Sequence, residues 1–168
     1  MRPATSADCD RLALVGAATF LETFAGILNG DDILLHCRRE HDAAAYSRHL
    51  AQGARAWLAE VPGGAPVGFA LLARPDLPTV DPDGPDLELK RIYSLSRFHG
   101  SGVGPALMAA AVSAATQAGA PRILLGVYRH NARAIAFYTR QGFTHLCDRT
   151  FRVGNTDHDD VVLVKPLR

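Results

Sequence analysis

Residues 97–108, RFHGSGVGPALM, set Gly100, Gly102 and Gly104 at alternate positions and follow them with Pro105 and an alanine-rich apolar run. Glycine adopts positive φ without steric penalty and lets a ligand approach the backbone closely. A helix that begins here presents unpaired N–H groups and the positive end of its dipole. Strand, glycine loop and helix N-terminus in that order form a cradle for an anion, phosphate or pyrophosphate above all. The same glycines would also serve a plain tight turn, so the stretch alone leaves both readings open. It is neither of the familiar nucleotide loops. A P-loop needs Gly-Lys-Ser/Thr, and no Lys follows these glycines. The dinucleotide fingerprint needs G-x-G-x-x-G, and Leu107 stands where its last glycine would fall.

A second stretch, NARAIAFYTRQGF at 131–143, places Asn131, Ala134, Ile135 and Tyr138 at i, i+3, i+4 and i+7, one stripe of a helix. Asn131 suits the N-cap, and Tyr138 puts a phenol on the same face as small and apolar side chains. A core helix with a hydrogen-bonded tyrosine shows the same pattern. A third cluster, HCRREH, gathers His36, Glu40 and His41. Its spacing is one residue off the H-x-x-E-H zinc pattern. Glu40 and His41, adjacent in sequence, lie about 100° apart around a helix, so no metal is expected. Cys9, Cys37 and Cys147 are odd in number, far apart and at neither metal-ligand nor redox spacing. They read as buried, reduced thiols of a cytoplasmic protein.

The elements that must position these groups are legible from periodicity. CDRLALVGAATFLETFAGIL has helical spacing, and DDILLHCRREHDAAAYSRHLAQG continues it as one or two more helices, ending near Gly53. RAWLAEV and VGFALLA, joined by VPGGAP, read as a hairpin whose Trp57 and Phe69 belong to the core. A Pro- and Asp-rich surface loop, RPDLPTVDPDGPD, precedes the strand LELKRIYSL, which enters the glycine loop. Residues 105–118 are predicted helical, with Pro105 in the first turn and Gly119 as the stop. RILLGVY is a buried strand, the Asn131 helix ends at Gly142, and two late strands lie near 143–153 and 159–165. The sum is an α/β domain with a mixed sheet, helices first and a strand–helix–strand unit in its second half. At 168 residues and 48% hydrophobic content, one domain spanning 1–168 with a proper core is expected. A net charge of +1 with no dense basic run argues against a nucleic-acid partner. No apolar run approaches the roughly 18 residues of a membrane span, and the N-terminus lacks a signal-peptide core.

LELKRIYSLSRFHGSGVGPALM followed by NARAIAFYTRQGF resembles the GNAT superfamily of N-acetyltransferases, and the order of elements is similar over nearly the whole chain. The family loop is Gln/Arg-x-x-Gly-x-Gly/Ala, matched by His99, Gly102 and Gly104. TFLETF, LELKRIY, LLGVYRHNARAIAFY and the tail further resemble PaiA-like polyamine acetyltransferases. The chain departs from them in carrying His99 for Gln or Arg, Ser94 and Ser96 for Val and Pro, and His158, Asp159, Asp160 for Gln-Thr-Asp. His99 can still donate a hydrogen bond, with a charge that varies near neutral pH.

The resemblance implies a mostly antiparallel sheet splayed at a parallel pair and flanked by helices. It implies acetyl-CoA as donor, no metal, and a primary amine of a small molecule, such as a polyamine, as acceptor. The alternatives are a peptide or protein amine and a non-catalytic acyl-CoA sensor. Residues His99, Gly100, Ser101, Gly102, Val103 and Gly104 would hold the diphosphate. Backbone at Ile92, Tyr93 and Ser94 would pair with the pantetheine arm like an added strand, assisted by Asn131. A main-chain N–H would polarise the thioester carbonyl, and Tyr138 would donate to the departing sulfur. Glu88 is the candidate base through a water, or else a strand residue paired with Lys90 or Arg91. Glu22 is the candidate attractor of a cationic amine, or else an exposed helix carboxylate. Asp157, Asp159 and Asp160 read as a solvated hairpin end or as a help to that amine. The family also carries the expectation of a homodimer.

Overall fold

The computed structural model describes residues 1–78 and 80–167. The chain opens with a short strand β1 (Arg2–Pro3), then α1 (Cys9–Phe24), α2 (Gly30–Glu40) and α3 (Ala43–Ala51). β2 (Arg55–Glu60), β3 (Pro66–Ala73) and β4 (Leu87–Ser94) lead to α4 (Val103–Gln117). β5 (Arg122–Tyr128), α5 (Ala132–Arg140), β6 (Thr144–Val153) and β7 (Thr156–Pro166) complete it. The HCRREH run breaks at His41, and Asp42 restarts the chain as α3 by accepting the Ala45 N–H at 2.6 Å. That is why the second helical stretch resolves into two helices.

The strands form one sheet in the order β1-β2-β3-β4-β5-β7-β6, antiparallel except for β4 against β5. The parallel pairing covers Leu87↔Ile123 and Glu88↔Leu124 and then stops, although both strands continue. A bulge interrupts the pairing of β3 with β4. Leu71 pairs with Arg91 while Leu72 pairs with Leu89, so Lys90 is the extra residue on β4. The bulge resets the side-chain alternation. Leu87, Leu89 and Ile92 face the core under α4 and α5, and Tyr93 faces the opposite side with Phe69.

The two faces have separate cores. On one, Leu107, Met108, Ala111 and Ala115 of α4 pack on Leu89, Ile123, Leu125 and Leu163. On the other, Leu12 and Val15 of α1 and Tyr46 of α3 pack on Leu58, Phe69 and Leu71. Phe20 and Phe24 of α1 meet Ile33 of α2 and Val153 of β6 in a third cluster. Leu77, from the loop after β3, covers Leu124 and Val162. β5 therefore buries both of its faces, which explains its unbroken apolar run. Helix α4 begins two residues earlier than its proline predicts, because Gly102 at φ 91° turns the chain into the helix as N-cap. Pro105 still falls in the first turn, where its missing N–H costs nothing. Among the described residues no helix is long and apolar enough to cross a membrane.

Candidate active site

The glycine loop is built from β4 outward. Leu95 N–H bonds the Val67 carbonyl at 2.9 Å, and a single helical turn at 96–98 follows. Glu22 braces that turn: its carboxylate accepts the Ser96 N–H and the Ser96 hydroxyl, both at 2.7 Å. These bonds hold the Glu22 carboxyl below its ordinary pKa. Glu22 is thus occupied with the loop and does not line the cleft between β4 and β5, which corrects its reading as an acceptor-binding residue. Gly100 at φ 81° and Gly102 at φ 91° carry the chain through two left-handed positions, with open space where side chains would stand. Among the described residues, the N–H groups of Gly100, Gly102, Val103 and Gly104 find no carbonyl acceptor in the chain. Ser101 turns its hydroxyl back to the Phe98 carbonyl at 2.6 Å.

His99 ties the loop together. Its Nε2 lies 3.0 Å from the Ser94 carbonyl and its Nδ1 lies 2.5 Å from Arg133 Nη1. A carbonyl only accepts and a guanidinium only donates, so the ring is the neutral tautomer with the proton on Nε2. Arg133, two residues into the cap of α5, supplies a fixed cation beside the unpaired amides. Sequence reasoning passed over it. Its only signal was its place next to Asn131 at the start of a helix facing the loop.

A cleft of about 450 Å³ runs through the sheet where β4 and β5 part. His99, Gly100, Gly104, Asn131, Arg133 and Tyr138 line its α4–α5 half, while Ser101, Gly102 and Val103 stay outside the lining. Ile92, Tyr93 and Ser94 pair with Ala70, Phe69 and Gly68 on one edge only, so their other edge faces the gap. Asn131 caps α5 by accepting the Ala134 N–H at 3.1 Å. Tyr138 sits at the gap with its ring against Phe137 and Phe143. Its hydroxyl bonds no protein group among the described residues, and burial, with Tyr93 nearby, pushes its pKa up. Burial likewise raises the Tyr93 phenol to about 12. Both phenols therefore hold their protons at neutral pH.

The opposite half of the cleft is lined by ion pairs. Glu88 Oε2 accepts from Lys90 Nζ and from the Asp76 N–H, each at 2.9 Å. That is the pairing the sequence offered as its alternative to a base, although Glu88 is buried rather than on the surface. Arg91 donates to Glu40 at 2.8 Å and stacks over Tyr46. Arg149 reaches from β6 across β7, donates to Asp160 at 3.2 Å, and lies against Phe151 and the bare backbone of Gly126. A Cβ on Gly126 would strike the Arg149 guanidinium, so glycine is what admits it. Asp160 is only 5% exposed, not part of a solvated hairpin end, whereas Asp157 is exposed and paired with Arg152. His36, stacked on Phe20, is held near pKa 4 by burial, and burial lowers His41 as well, so both rings are neutral. Among the described residues no group of three or more His, Cys, Asp or Glu side chains is placed to hold a metal ion.

The profile of the Acetyltransferase (GNAT) family matches residues 24–143. An uncharacterized N-acetyltransferase of Mycobacterium tuberculosis is 34% identical over 160 residues, covering 95% of this chain and 98% of its own length. The crystal structure of the PaiA N-acetyltransferase of Thermoplasma acidophilum with coenzyme A superposes with a TM-score of 0.77 at 19% identity, covering 99% of each chain. The ribosomal-protein-alanine N-acetyltransferase of Brucella melitensis superposes with a TM-score of 0.74 at 25% identity, covering 99% of this chain and 98% of its own.

Proposed function

Because the chain belongs to the GNAT family of acetyltransferases, we propose that acetyl-CoA occupies the α4–α5 half of the cleft and a small primary amine the other. The supporting observation is continuity. One cleft joins unpaired amides at a helix start, an open strand edge and a protonated, unpartnered phenol. The amides of Gly100, Gly102, Val103 and Gly104 hold the diphosphate, with Arg133 adding charge. The free edge at Ile92–Ser94 pairs with the pantetheine arm, and a main-chain N–H there stabilises the oxyanion of the tetrahedral intermediate. Tyr138 gives its proton to the departing sulfur. The amine attacks directly, with no acyl-enzyme.

A lysine-like amine has a pKa of roughly 10.4, so presenting it neutral at pH 7 costs about 4.6 kcal/mol. A carboxylate of the cleft or a chain of waters must take that proton. Glu88 is one candidate, acting through a water at its remaining oxygen.

The acceptor half favours a small molecule over a protein lysine. Asp32 of α2 accepts the Asn155 N–H at 2.7 Å and the Thr156 hydroxyl at 2.5 Å, which closes the β6–β7 turn onto α2. Phe20, Phe24, Ile33 and Val153 pack behind that latch. A polyamine is one such acceptor, drawn by Glu40, Glu88 and Asp160. A second reading, a peptide α-amine, draws on the likeness to the ribosomal-protein-alanine enzyme.

Calorimetry with acetyl-CoA, followed by thiol release with spermidine, free amino acids and an alanine-initiated peptide, tests the proposal. Binding with release to a small amine supports it. Release to the peptide alone selects the second reading, and binding without release to any of them makes the protein an acyl-CoA sensor.

A further inference from the structure

We propose that Asp160 accepts the proton of the incoming ammonium, and that Arg149 is the residue that positions its carboxylate. The inference rests on the transferase reading and names a residue for a step left open there.

Sheet register brings Asp160 to the right place. The last β4–β5 pair is Glu88↔Leu124. Beyond it the two strands part, and Tyr93 of β4 and Tyr128 of β5 both line the gap between them. Tyr128 pairs with Asp160, and Asp160 pairs with Arg149. Tyr128, Asp160 and Arg149 therefore stand in one row across β5, β7 and β6, with Tyr93 lining the same cleft from β4. Tyr93 belongs to the open strand edge where the transferase reading puts the thioester carbonyl, and all four residues line the cleft. Tyr93 and Asp160 are close enough that the carboxylate helps to raise the phenol pKa.

The carboxylate is also in a condition to take a proton. Glu88 already spends one oxygen on two donors, Lys90 Nζ and the Asp76 N–H. Among the described residues the one side-chain bond to Asp160 is the long one from Arg149, to Oδ2, and burial outweighs that cation and raises its pKa. Among the described residues, the charged and titratable groups that face it are Arg149 on β6, His158 and Asp159 on β7, Tyr128 on β5 and Tyr93 on β4. From α2, His36 reaches Phe151, next to the Arg149 guanidinium. Arg149 cannot swing away, since Gly126, Phe151 and Asp160 enclose it at 11% side-chain exposure.

The proton count closes. The ammonium R–NH3+ gives one proton to Asp160, which passes it to solvent at the cleft mouth. The neutral nitrogen forms its bond to the carbonyl carbon, and the C–S bond then breaks. Tyr138 protonates the sulfur and regains a proton from the nitrogen, now positively charged. The products are the amide, the thiol and one released proton.

The test is the pH profile of kcat for thiol release, with the best acceptor among spermidine, lysine and the alanine-initiated peptide. Asp160→Asn should lower kcat about 100-fold or more and abolish the acidic limb, with acetyl-CoA affinity and circular dichroism unchanged. Asp160→Glu should restore part of the rate. Arg149→Met should move the acidic limb to higher pH, by about one unit or more, because Asp160 loses its stabilising cation. Wild-type kcat and an intact limb in Asp160→Asn overturn the inference while leaving the transferase reading in place. If the wild type releases no thiol, the transferase reading is what fails. Carbon-13 titration of Asp160 in the coenzyme A complex then decides the residue's state. A carboxyl ionised down to about pH 4, its ordinary range, overturns the inference, and titration well above that range supports it.

Discussion

A phenol that donates to a thiolate must be protonated, close and not already spent on a protein acceptor. Tyr138 meets these conditions: its pKa is raised by burial, it lines the gap, and its hydroxyl bonds no protein group among the described residues. Tyr138→Phe keeps the ring against Phe143 and removes only the oxygen. Steady-state thiol release should show kcat falling about 100-fold, while calorimetry shows acetyl-CoA affinity within twofold of wild type. An unchanged kcat would remove Tyr138 from the mechanism. Gly126 offers a test of a different kind. Gly126→Ala inserts a methyl where the Arg149 guanidinium lies and should push it off Asp160, moving the acidic limb of kcat upward as Arg149→Met does. Residue types alone revealed some of these groups and hid others. Tyr138, Asn131 and the glycines were legible because their signal is local: a helical stripe, a cap, a bare loop. Arg133 and Arg149 were not, and Asp160 stood out only as one of an acidic group with Asp157 and Asp159, since the contacts that single out each of them come from another element. Glu22 misled for the same reason, its partner Ser96 being 74 residues away in sequence.

At the scale of the element, the cradle depends on backbone conformation more than on side chains. Gly102 takes φ 91° as the N-cap of α4, a region that β-branched residues avoid. The space around it is open, so Gly102→Val would fail through backbone strain and not through a clash. Calorimetry should show coenzyme A affinity reduced about tenfold or more, as for a loss of about 1.4 kcal/mol, while the far-UV spectrum keeps its shape. The latch between α2 and the β6–β7 turn is a second device of this kind. Asp32→Ala should speed amide exchange at Asn155 and lower the melting midpoint by a few degrees, because that N–H loses its acceptor. On the small-amine reading, opening that turn should let peptide acceptors gain relative to small amines in thiol release. Element boundaries were read to within a few residues, and the parallel pair was implied by the resemblance. The bulge at Lys90 was invisible, because a run such as LELKRIY carries no mark of where the alternation resets.

The molecule as a whole carries its catalytic gap between two cores, one under α4 and α5 and one under α1 and α3. Neutral histidines, His36 and His41, line the other half of the cleft, and this has a cost in acid. His36 stacks on Phe20 at 4.3 Å between ring centroids, and burial holds its pKa near 4 against an unfolded value of 6.5. Between those pH values the unfolded chain binds a proton that the folded chain refuses. Stability therefore rises with pH across this window and falls as pH drops from 6.5 toward 4. One such proton amounts to about 1.4 kcal/mol per pH unit, or about 3 kcal/mol over the window. His41, lowered by the same burial, adds to the slope. Asp8 acts in the same direction at lower pH. Its bonds to Arg2 and Thr5 depress its pKa, so its contribution persists until the pH falls below the ordinary carboxylate range. Chemical denaturation at half-unit steps should show the stability loss beginning near pH 6.5, before any carboxylate titrates in the unfolded chain. In His36→Gln, which carries no proton to refuse, the slope should flatten by about one proton. A wild-type stability constant from pH 7 to 4.5 would show that these rings accept protons in the folded protein. The acceptor half of the cleft would then be cationic in mild acid.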